Sequence, residues 1–360
     1  MSADGDGIVV TGHAQREAWL ARTLPPVEQL AADLWSIPVP MPSGSPLRYV
    51  SVYAFAVPGG LVLIDAGWGS DQAWEALGAG LAAIGAAVTD VRGVLVTHLH
   101  FDHLGLADRV RRASGAWVAL HEDDLAVVTG PSFRDARAAV AADHAHLRHL
   151  GASAAEAERV GARAEAWEQF TRLAPPDRVL RDGDPVDAPG WSLRTLHTPG
   201  HTPGHVCFVE PRLDTVFSGD HVLPRITPNI SVDTFSPADP LGDYLASLQR
   251  VAALPVTHVA PAHEWRFDGL AARTAQIAEH HDRRLAEVVA AVHSRPGSTP
   301  WDIAGLLTWS RPWDQYDGRM RVFAVTETAS HVVHLEATGV LVSSGGDVPR
   351  YTVATVDAPT

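Results

Sequence analysis

Short apolar runs rich in β-branched residues recur through the first three quarters of the chain: YVSVYAFAV (49–57), LVLI (61–64), VRGVLV (91–96), WVAL (117–120), WSLRTL (191–196), HVCFVE (205–210), TVFS (215–218) and THVAP (257–261). Each has the length and composition of a strand buried on at least one face. Between them the apolar spacing becomes helical, at 71–86, 103–113 and 239–253, the last opened by Asp239-Pro240 as N-cap and first-turn proline. Strands interleaved with helices in this way predict a layered α/β architecture.

The pattern changes twice. Residues 122–178 are rich in Ala, Glu, Arg and His and carry no strand signal, so two or three inserted helices are expected there. Their length far exceeds an ordinary connection of about 4–6 residues. A lid is the expectation, with Phe133, Trp167 and Phe170 furnishing one wall of a pocket. Past residue 275 come a long amphipathic helix around AEHHDRRLAEVVAAVHS, a second opened by Ser298-Thr299-Pro300, a third over 319–338, and a hairpin signal in VLVSSGGDVPRYTV. Three helices followed by a hairpin is the order of a winged-helix domain. The expected division is a catalytic domain over 1–275 and a small winged-helix-like domain over 276–360, with no internal repeat.

Composition narrows the chemistry. No apolar run in the 360 residues approaches the roughly 18–20 needed to span a bilayer, and MSADGDGIVV lacks the charged and apolar regions of a signal peptide. A cytoplasmic protein with no membrane partner is expected. Cys207 is the single cysteine, so intramolecular disulfides and thiolate metal clusters are excluded, and its place in HVCFVE predicts a buried, inert thiol. All 28 basic residues are Arg, which removes lysine nucleophiles and Schiff bases. A net charge of −14 argues against a nucleic-acid partner and leaves a small-molecule substrate as the expectation.

The chemistry concentrates in Thr97-His98-Leu99-His100-Phe101-Asp102-His103, directly after the run VRGVLV. In extended chain, residues two apart point to one side, so His98 and His100 can converge on one ion while Asp102 and His103 face a neighbouring position. The bland alternative is a chance cluster in a chain with 19 histidines. Context argues against it: His201 in TPGHTPGH, Asp220 in SGDH, His263 in PAHE and Asp65 in LVLIDAG each follow a short apolar run too. Residues at the ends of successive strands gather at one sheet edge, where open α/β architectures place their sites.

In order and spacing, Asp65, HLHFDH, His201, Asp220 and His263 resemble the metallo-β-lactamase superfamily, over roughly residues 30–275. The resemblance implies a four-layer αβ/βα sandwich with a dinuclear site at its edge. It implies that His98, His100 and His201 bind one metal, that Asp102, His103 and His263 bind a second, and that Asp220 bridges both. Asp65 would brace the ligand loops from behind. Histidine and carboxylate ligation suits two divalent ions, with zinc preferred over manganese, iron or nickel. Such a pair, about 3.5–4 Å apart, holds a bridging hydroxide at neutral pH, and Asp102 or Asp220 could orient the water or accept its proton. No protein nucleophile is needed.

The same resemblance sorts subgroups. Asp220 is the bridging aspartate that true β-lactamases lack and that glyoxalase II, acyl-homoserine lactonases and RNA-processing phosphodiesterases carry. Leu223 stands where the lactonase pattern places Tyr, and the stretch after His263 lacks the basic segment of glyoxalase II. The expected activity is hydrolysis of an ester, thioester or lactone of a small, moderately hydrophobic substrate. A phosphodiesterase or ribonuclease of the same fold, or a mononuclear iron persulfide-type dioxygenase, is the alternative; a ligand-binding regulator with a residual site is a third class. After residue 275 there are seven Arg against ten Asp and Glu, so the C-terminal domain is expected to serve packing or homodimerisation rather than phosphate binding. His221 is expected either to reach substrate or to brace Asp220, His205 to brace the His201 loop, His144, His146 and His149 to form a solvated helix face, and Trp68 and Trp265 to pack or to line the mouth of the site.

Overall fold

The computed structural model of the protein describes residues 7–164, 167–168 and 175–355. A seven-stranded sheet runs in the order β2 (Glu28–Ala31), β3 (Leu34–Pro40), β4 (Tyr49–Val57), β5 (Gly60–Ile64), β6 (Val91–Leu95), β7 (Trp117–His121) and β8 (Arg178–Leu180). A six-stranded sheet runs β1 (Val9–Val10), β13 (Phe267–Asp268), β12 (His258–Pro261), β11 (Thr215–Gly219), β10 (Val206–Glu210) and β9 (Arg194–His197). Every run expected as a strand is one. β1, β2, β3, β8 and β13 lie outside the expected runs. β3 is masked in the sequence by Pro38 and Pro40, which a central strand cannot carry. Its pairing shows why they are tolerated: β2 covers only Leu34 to Ser36, so both prolines lie beyond the reach of that neighbour.

Alternation along the strands builds the layers. Val62 and Ile64 of β5, with Tyr53, Phe55 and Leu95, face Val206, Phe208, Phe217 and Ala260 of the other sheet in one buried cluster. Phe217 meets Tyr53 and Phe55 edge-on, at 4.9 and 5.2 Å between ring centroids, and each such pair adds about 0.5–1.5 kcal/mol beyond area burial. On the opposite face of the seven-stranded sheet, Ile37 receives the helix Asp71–Ala83 so closely that a Cβ on Gly80 would lie 2.3 Å from it. Strands covered on both faces read as unbroken apolar runs, which is why β4 to β6 were legible. The expected α/β sandwich is present, and among the described residues no helix is long and apolar enough to cross a membrane.

The chain divides into two compact units, but not at residue 275. The first comprises Met1–Thr129, Arg172–Pro228 and Ser247–Ala275 and contains both sheets; the second comprises Gly130–Thr171, Asn229–Ala246 and Gln276–Thr360. Within the second, helices Ala136–His149 and Ala154–Val160 bury Leu147, Leu150, Ala157 and Val160 against Trp301, Ala304, Val325 and Ala329. The segment expected as an independent insertion is therefore half of a hydrophobic core, and cutting it to a short linker would expose the other half. Phe133 is buried against Trp167 and Phe235, while Phe170 lies outside the described residues. The expected helices after residue 275 are present as Leu270–Ser294, Pro300–Ala304 and Gly318–Ala337, followed by the antiparallel pair β14 (Leu341–Ser343) and β15 (Tyr351–Val353). Thr299 caps the second of these through a capping box with Asp302.

The second unit also carries opposed pH dependences. Burial pushes His281 down to about 2, with the neighbouring His331 adding to it, and pushes His331 down to about 4 against the opposing bond it donates to the Glu327 carbonyl at 2.8 Å; the two rings meet at 3.1 Å. Their stabilising contribution is full above 6.5, the ordinary value, and is lost as pH falls toward those folded values. Burial raises the Glu327 carboxyl from 4.5 to about 7, so its contribution is full below 4.5 and is lost as pH rises through 7. Glu327→Gln should accordingly raise the denaturation midpoint at alkaline pH and leave it nearly unchanged near pH 4.5. Urea titrations at both pH values check this; equal shifts at the two would show that Glu327 does not titrate in this way.

Candidate metal centre

One edge of the sandwich receives the site residues, because each lies where a strand ends. Asp65 follows β5, Thr97 to His103 follow β6, His201 lies in the turn between β9 and β10, Asp220 follows β11 and His263 follows β12. Ligand atoms of His98, His100 and His201 lie within 4.8 Å of one another, as do those of His98, His103 and Asp220, and those of Asp102, His103 and His263. All seven residues singled out from the sequence thus meet in one place. His98, His103 and His263 are fully buried, and His100 and His201 are half-buried on the open side.

Hydrogen bonds behind the rings fix which nitrogen faces inward. Asp65 accepts from the Thr97 amide at 2.8 Å, from the Thr97 hydroxyl at 3.0 Å and from His103 Nδ1 at 2.8 Å. With its proton given to Asp65, the Thr97 oxygen accepts from His98 Nδ1 at 3.0 Å. His263 Nδ1 donates to the Tyr49 carbonyl at 2.8 Å. His98, His103 and His263 therefore each present Nε2 to the centre, oriented by the partner of the other nitrogen. Asp65 makes these bonds from a left-handed backbone conformation (φ 61°), and Glu264, next to His263, has φ 67°. Such conformations cost about 1–3 kcal/mol each and persist where the surroundings enforce them. The Tyr53 hydroxyl does so here by bonding the Pro261 carbonyl at 2.7 Å, and the Tyr49 hydroxyl by bonding that of Glu264.

Around the two carboxylates the spacing fits metal ligation better than hydrogen bonding, whereas His98 Nε2 and His100 Nδ1 stand at hydrogen-bond distance, 2.9 Å. His103 Nε2 lies 3.6 Å from Asp220 and 3.7 Å from Asp102, His263 Nε2 lies 3.4 Å from each, and His201 Nε2 lies 3.6 Å from Asp220. Ligands about 2.0–2.2 Å from a tetrahedral ion stand roughly 3.3–3.6 Å apart. Among the described residues, His103 Nε2, His263 Nε2 and Asp220 Oδ1 are buried with no hydrogen-bond partner, as ligand atoms awaiting a cation would be.

Charge agrees with spacing. Burial alone would push Asp220 and Asp102 up, yet His103 and His263 hold both carboxyls below their usual range. Burial would likewise push His103 and His263 down, but Asp65, Asp102 and Asp220 outweigh it for His103, and Asp220 and Asp102 raise His263 to about 10. The cage therefore demands positive charge, which divalent ions would supply in place of those protons. On the other side, burial and then the surrounding histidines hold His98 well below its ordinary value and His100 at about 3. Neutral imidazoles are ready ligands.

One supporting residue escaped the sequence reading. Asp124, fully buried at the start of the helix Glu122–Thr129, accepts from the Leu99 amide at 2.8 Å, the Thr202 hydroxyl at 2.9 Å and the Gly204 amide at 2.6 Å. It ties the loop bearing His98 and His100 to the loop bearing His201. Burial pushes its carboxyl up to about 7, against the three hydrogen bonds that favour the anion. Gly204 is required by this contact, since a Cβ there would lie 2.4 Å from the Asp124 amide nitrogen. Asp124 lies within the stretch 122–178 expected as a lid, so that stretch also helps to build the site. Its signal was available: Asp124 follows the apolar run WVAL closely, as the other site residues follow theirs.

The secondary expectations divide. His205 accepts from the Asp220 amide at 3.2 Å and is tied to the Thr198 hydroxyl at 2.8 Å, so it braces Asp220 as well as its own loop. His221 is fully buried beside His205, at 5.8 Å between ring centroids, and burial pushes it down to about 3. Trp265 is buried with Trp19 and Tyr49 and lines no mouth, whereas Trp68 is half-buried edge-on to Phe101. Of His144, His146 and His149, expected on a solvated face, His149 is exposed and the other two are half-buried. They bond the carbonyls of Ala162, Val232 and Asp347 respectively, stitching their helix within its own unit. Cys207 is buried, and burial raises its thiol to about 12, as an inert thiol requires.

Comparison with known proteins agrees with this geometry. The chain is 27% identical over 277 residues to a lactamase-like protein, adaB, of Aspergillus niger, covering 77% of this chain and 69% of that one. It is 23% identical over 299 residues to an atrochrysone carboxyl ACP thioesterase of Aspergillus fumigatus, covering 82% and 77%. The crystal structure of a metallo-beta-lactamase family protein from Thermus thermophilus superposes with a TM-score of 0.77 at 28% identity, over 91% of this chain and all of that one. The sequence model of the metallo-beta-lactamase superfamily matches residues 45–263, which include every candidate ligand, and the chain belongs to that superfamily of hydrolases.

Proposed function

We propose that the protein is a dinuclear zinc hydrolase that cleaves an ester, thioester or lactone of a small, moderately hydrophobic substrate. The observation that carries this reading is the place of Asp220, whose carboxylate lies 3.4–3.6 Å from His263, His103 and His201 and so belongs to both ligand groups. His98, His100 and His201 would hold one ion, Asp102, His103 and His263 the other, with Asp220 between them. Bound there, the two ions supply a nucleophile from water at neutral pH and an electrophile for the substrate oxygen that gains charge.

The chain's own groups do the rest. Asp102 and Asp220 are the carboxylates that would orient the attacking water or take its proton. Asp65 and Thr97 keep the His98 and His103 lone pairs aimed inward, so no reorganisation is needed when charge develops. Thioesters head the substrate class because the Aspergillus fumigatus relative is named a thioesterase. The net charge of −14 disfavours a polyanionic substrate such as RNA.

The test combines elemental analysis after zinc or manganese reconstitution with initial rates on acyl thioesters, lactones, carboxyl esters and phosphodiesters. Two ions at the named ligands and preferred turnover of a thioester, ester or lactone are expected. A content that stays at or below one ion, or turnover confined to phosphodiesters, would overturn the reading.

A further inference from the structure

A cation without an anion lies beside the metal centre. β4 enters at the edge where β5 leaves: Tyr53 pairs with Ile64, so Tyr49 and Arg48 reach past the end of β5 on the side of the site, where the Tyr49 carbonyl holds His263 Nδ1 at 2.8 Å. Resting on the hydrolase reading above, we propose that Arg48, with Arg225 beside it, anchors one oxyanion group of the substrate, a carboxylate or a phosphate, next to the metal centre.

The Arg48 guanidinium lies over the Trp19 ring, 4.5 Å from its centroid, and among the described residues it makes no hydrogen bond or ion pair; its Nη1 is buried without a partner. The residue is half-buried. It holds a left-handed backbone (φ 50°) and accepts the Met41 amide at 2.7 Å, which closes the turn between β3 and β4. An unpaired cation drawn partly out of water and a strained backbone both cost free energy, and a bound oxyanion would offset the first. Stacking on Trp19 explains where the guanidinium lies and leaves its donors without an acceptor.

The carboxylates nearby are already committed. Glu264, Glu28 and Arg48 are charges that act on Tyr49, and of these Glu28 pairs with Arg266 at 2.8 Å and Glu264 with Arg225. Each of these carboxylates thus has its own arginine, and Arg48 is the surplus. Arg225 lies against the same Trp19 ring, 5.8 Å from its centroid, with a side chain 48% exposed; it engages Glu264 through Nη2, so donors remain for a second anion. Two guanidiniums gathered on one ring make a local positive site in a chain of net charge −14. Their planar donor sets match the paired oxygens of a carboxylate or a phosphate. Arg225 follows Asp220 on its loop and Glu264 follows His263, so an anion held here would fix the substrate relative to the ligands themselves.

The test uses the zinc-reconstituted full-length protein and two pairs of inert thioethers that differ in charge. One pair is the carboxybutyl thioether of pantetheine and its methyl ester; the other is the butyl thioether of phosphopantetheine and that of pantetheine. Calorimetric affinities give the preference for the anion in each pair, and rates on thioesters, esters and lactones give turnover separately. Wild type should prefer the anionic member of at least one pair by about 10–100-fold, the range of charge-assisted hydrogen bonds. The pair that shows it distinguishes a carboxylate on the acyl side from a phosphate on the thiol side. Arg48→Gln should abolish most of the preference, Arg48→Lys, which keeps the charge but not the fork, should retain part of it, and added salt should weaken it. The Arg48 side chain has no hydrogen-bonded partner to lose, so both variants should fold. No preference in either pair, or a preference that survives Arg48→Gln, would overturn the subsite. Preference without turnover of any thioester, ester or lactone would leave the subsite standing and sink the hydrolase reading; turnover without preference would do the reverse.

Discussion

Asp220→Ala should lower kcat/KM by more than about 100-fold, beyond the upper end of the loss expected for an outer-shell partner, whereas His221→Ala should cost about tenfold or less. The adjacent residues differ in what they face. Asp220 directs Oδ1 at His103 and His263, at 3.6 and 3.4 Å, and Oδ2 at His201, at 3.6 Å. Removing it deletes the single oxygen-bearing group shared by the two ligand groups, and with it part of the negative charge that holds His103 and His263 above their ordinary range. Both effects lower metal occupancy. His221 is buried behind it, beside His205, and its removal leaves the ligand set whole. Steady-state kinetics with metal content measured on the same samples decides the matter. Equal losses at unchanged metal content would place His221 in the chemistry and remove Asp220 from between the ions.

How much of this was legible in the sequence follows from how local each signal is. HLHFDH could be read because its residues lie within one strand end and one helix start, where spacing alone determines direction. His201, Asp220 and His263 could be added because each ends its own apolar run, and β-strand ends collect at one edge of a sheet. The bonds that select Nε2 on His98, His103 and His263 were not legible beyond Asp65. The carbonyl of Tyr49 and the hydroxyl of Thr97 act through backbone position and proton direction, which composition does not encode. The division into units was misplaced for a related reason. Leu147 and Val160 have ordinary helical spacing, and nothing local says that their partners are Trp301 and Val325 across more than a hundred residues of sequence. β3 was lost to a rule about proline that holds for central strands and lapses where a neighbour stops short.

Asp124 is the sharpest case of a site residue whose role only packing reveals, and its replacement is expected to separate the two halves of the centre. The Leu99 amide it holds lies between His98 and His100; the Thr202 hydroxyl and Gly204 amide flank His201. Those histidines are the ligands of one proposed ion, while Asp102, His103 and His263 of the other are held by Asp65, by each other and by Tyr49. Asp124→Ala leaves three buried donors without their acceptor, each costing about 1–3 kcal/mol unless water reaches it. It also frees the His98–His100 loop to move relative to His201. Asp124→Asn retains the volume but offers one acceptor oxygen, and turns its amide protons toward at least one backbone N–H that cannot accept, of Leu99 or of Gly204. Both variants should lose the ion held by His98, His100 and His201 first, with affinity falling by about 10–100-fold, while the second ion dissociates near its wild-type concentration. Chelator competition that resolves two successive releases would show this, and activity should fall with the first. Release of both ions together at a lowered melting temperature would instead mean that Asp124 supports the fold as a whole and that the loops bearing His98, His100 and His201 are positioned by their strands alone.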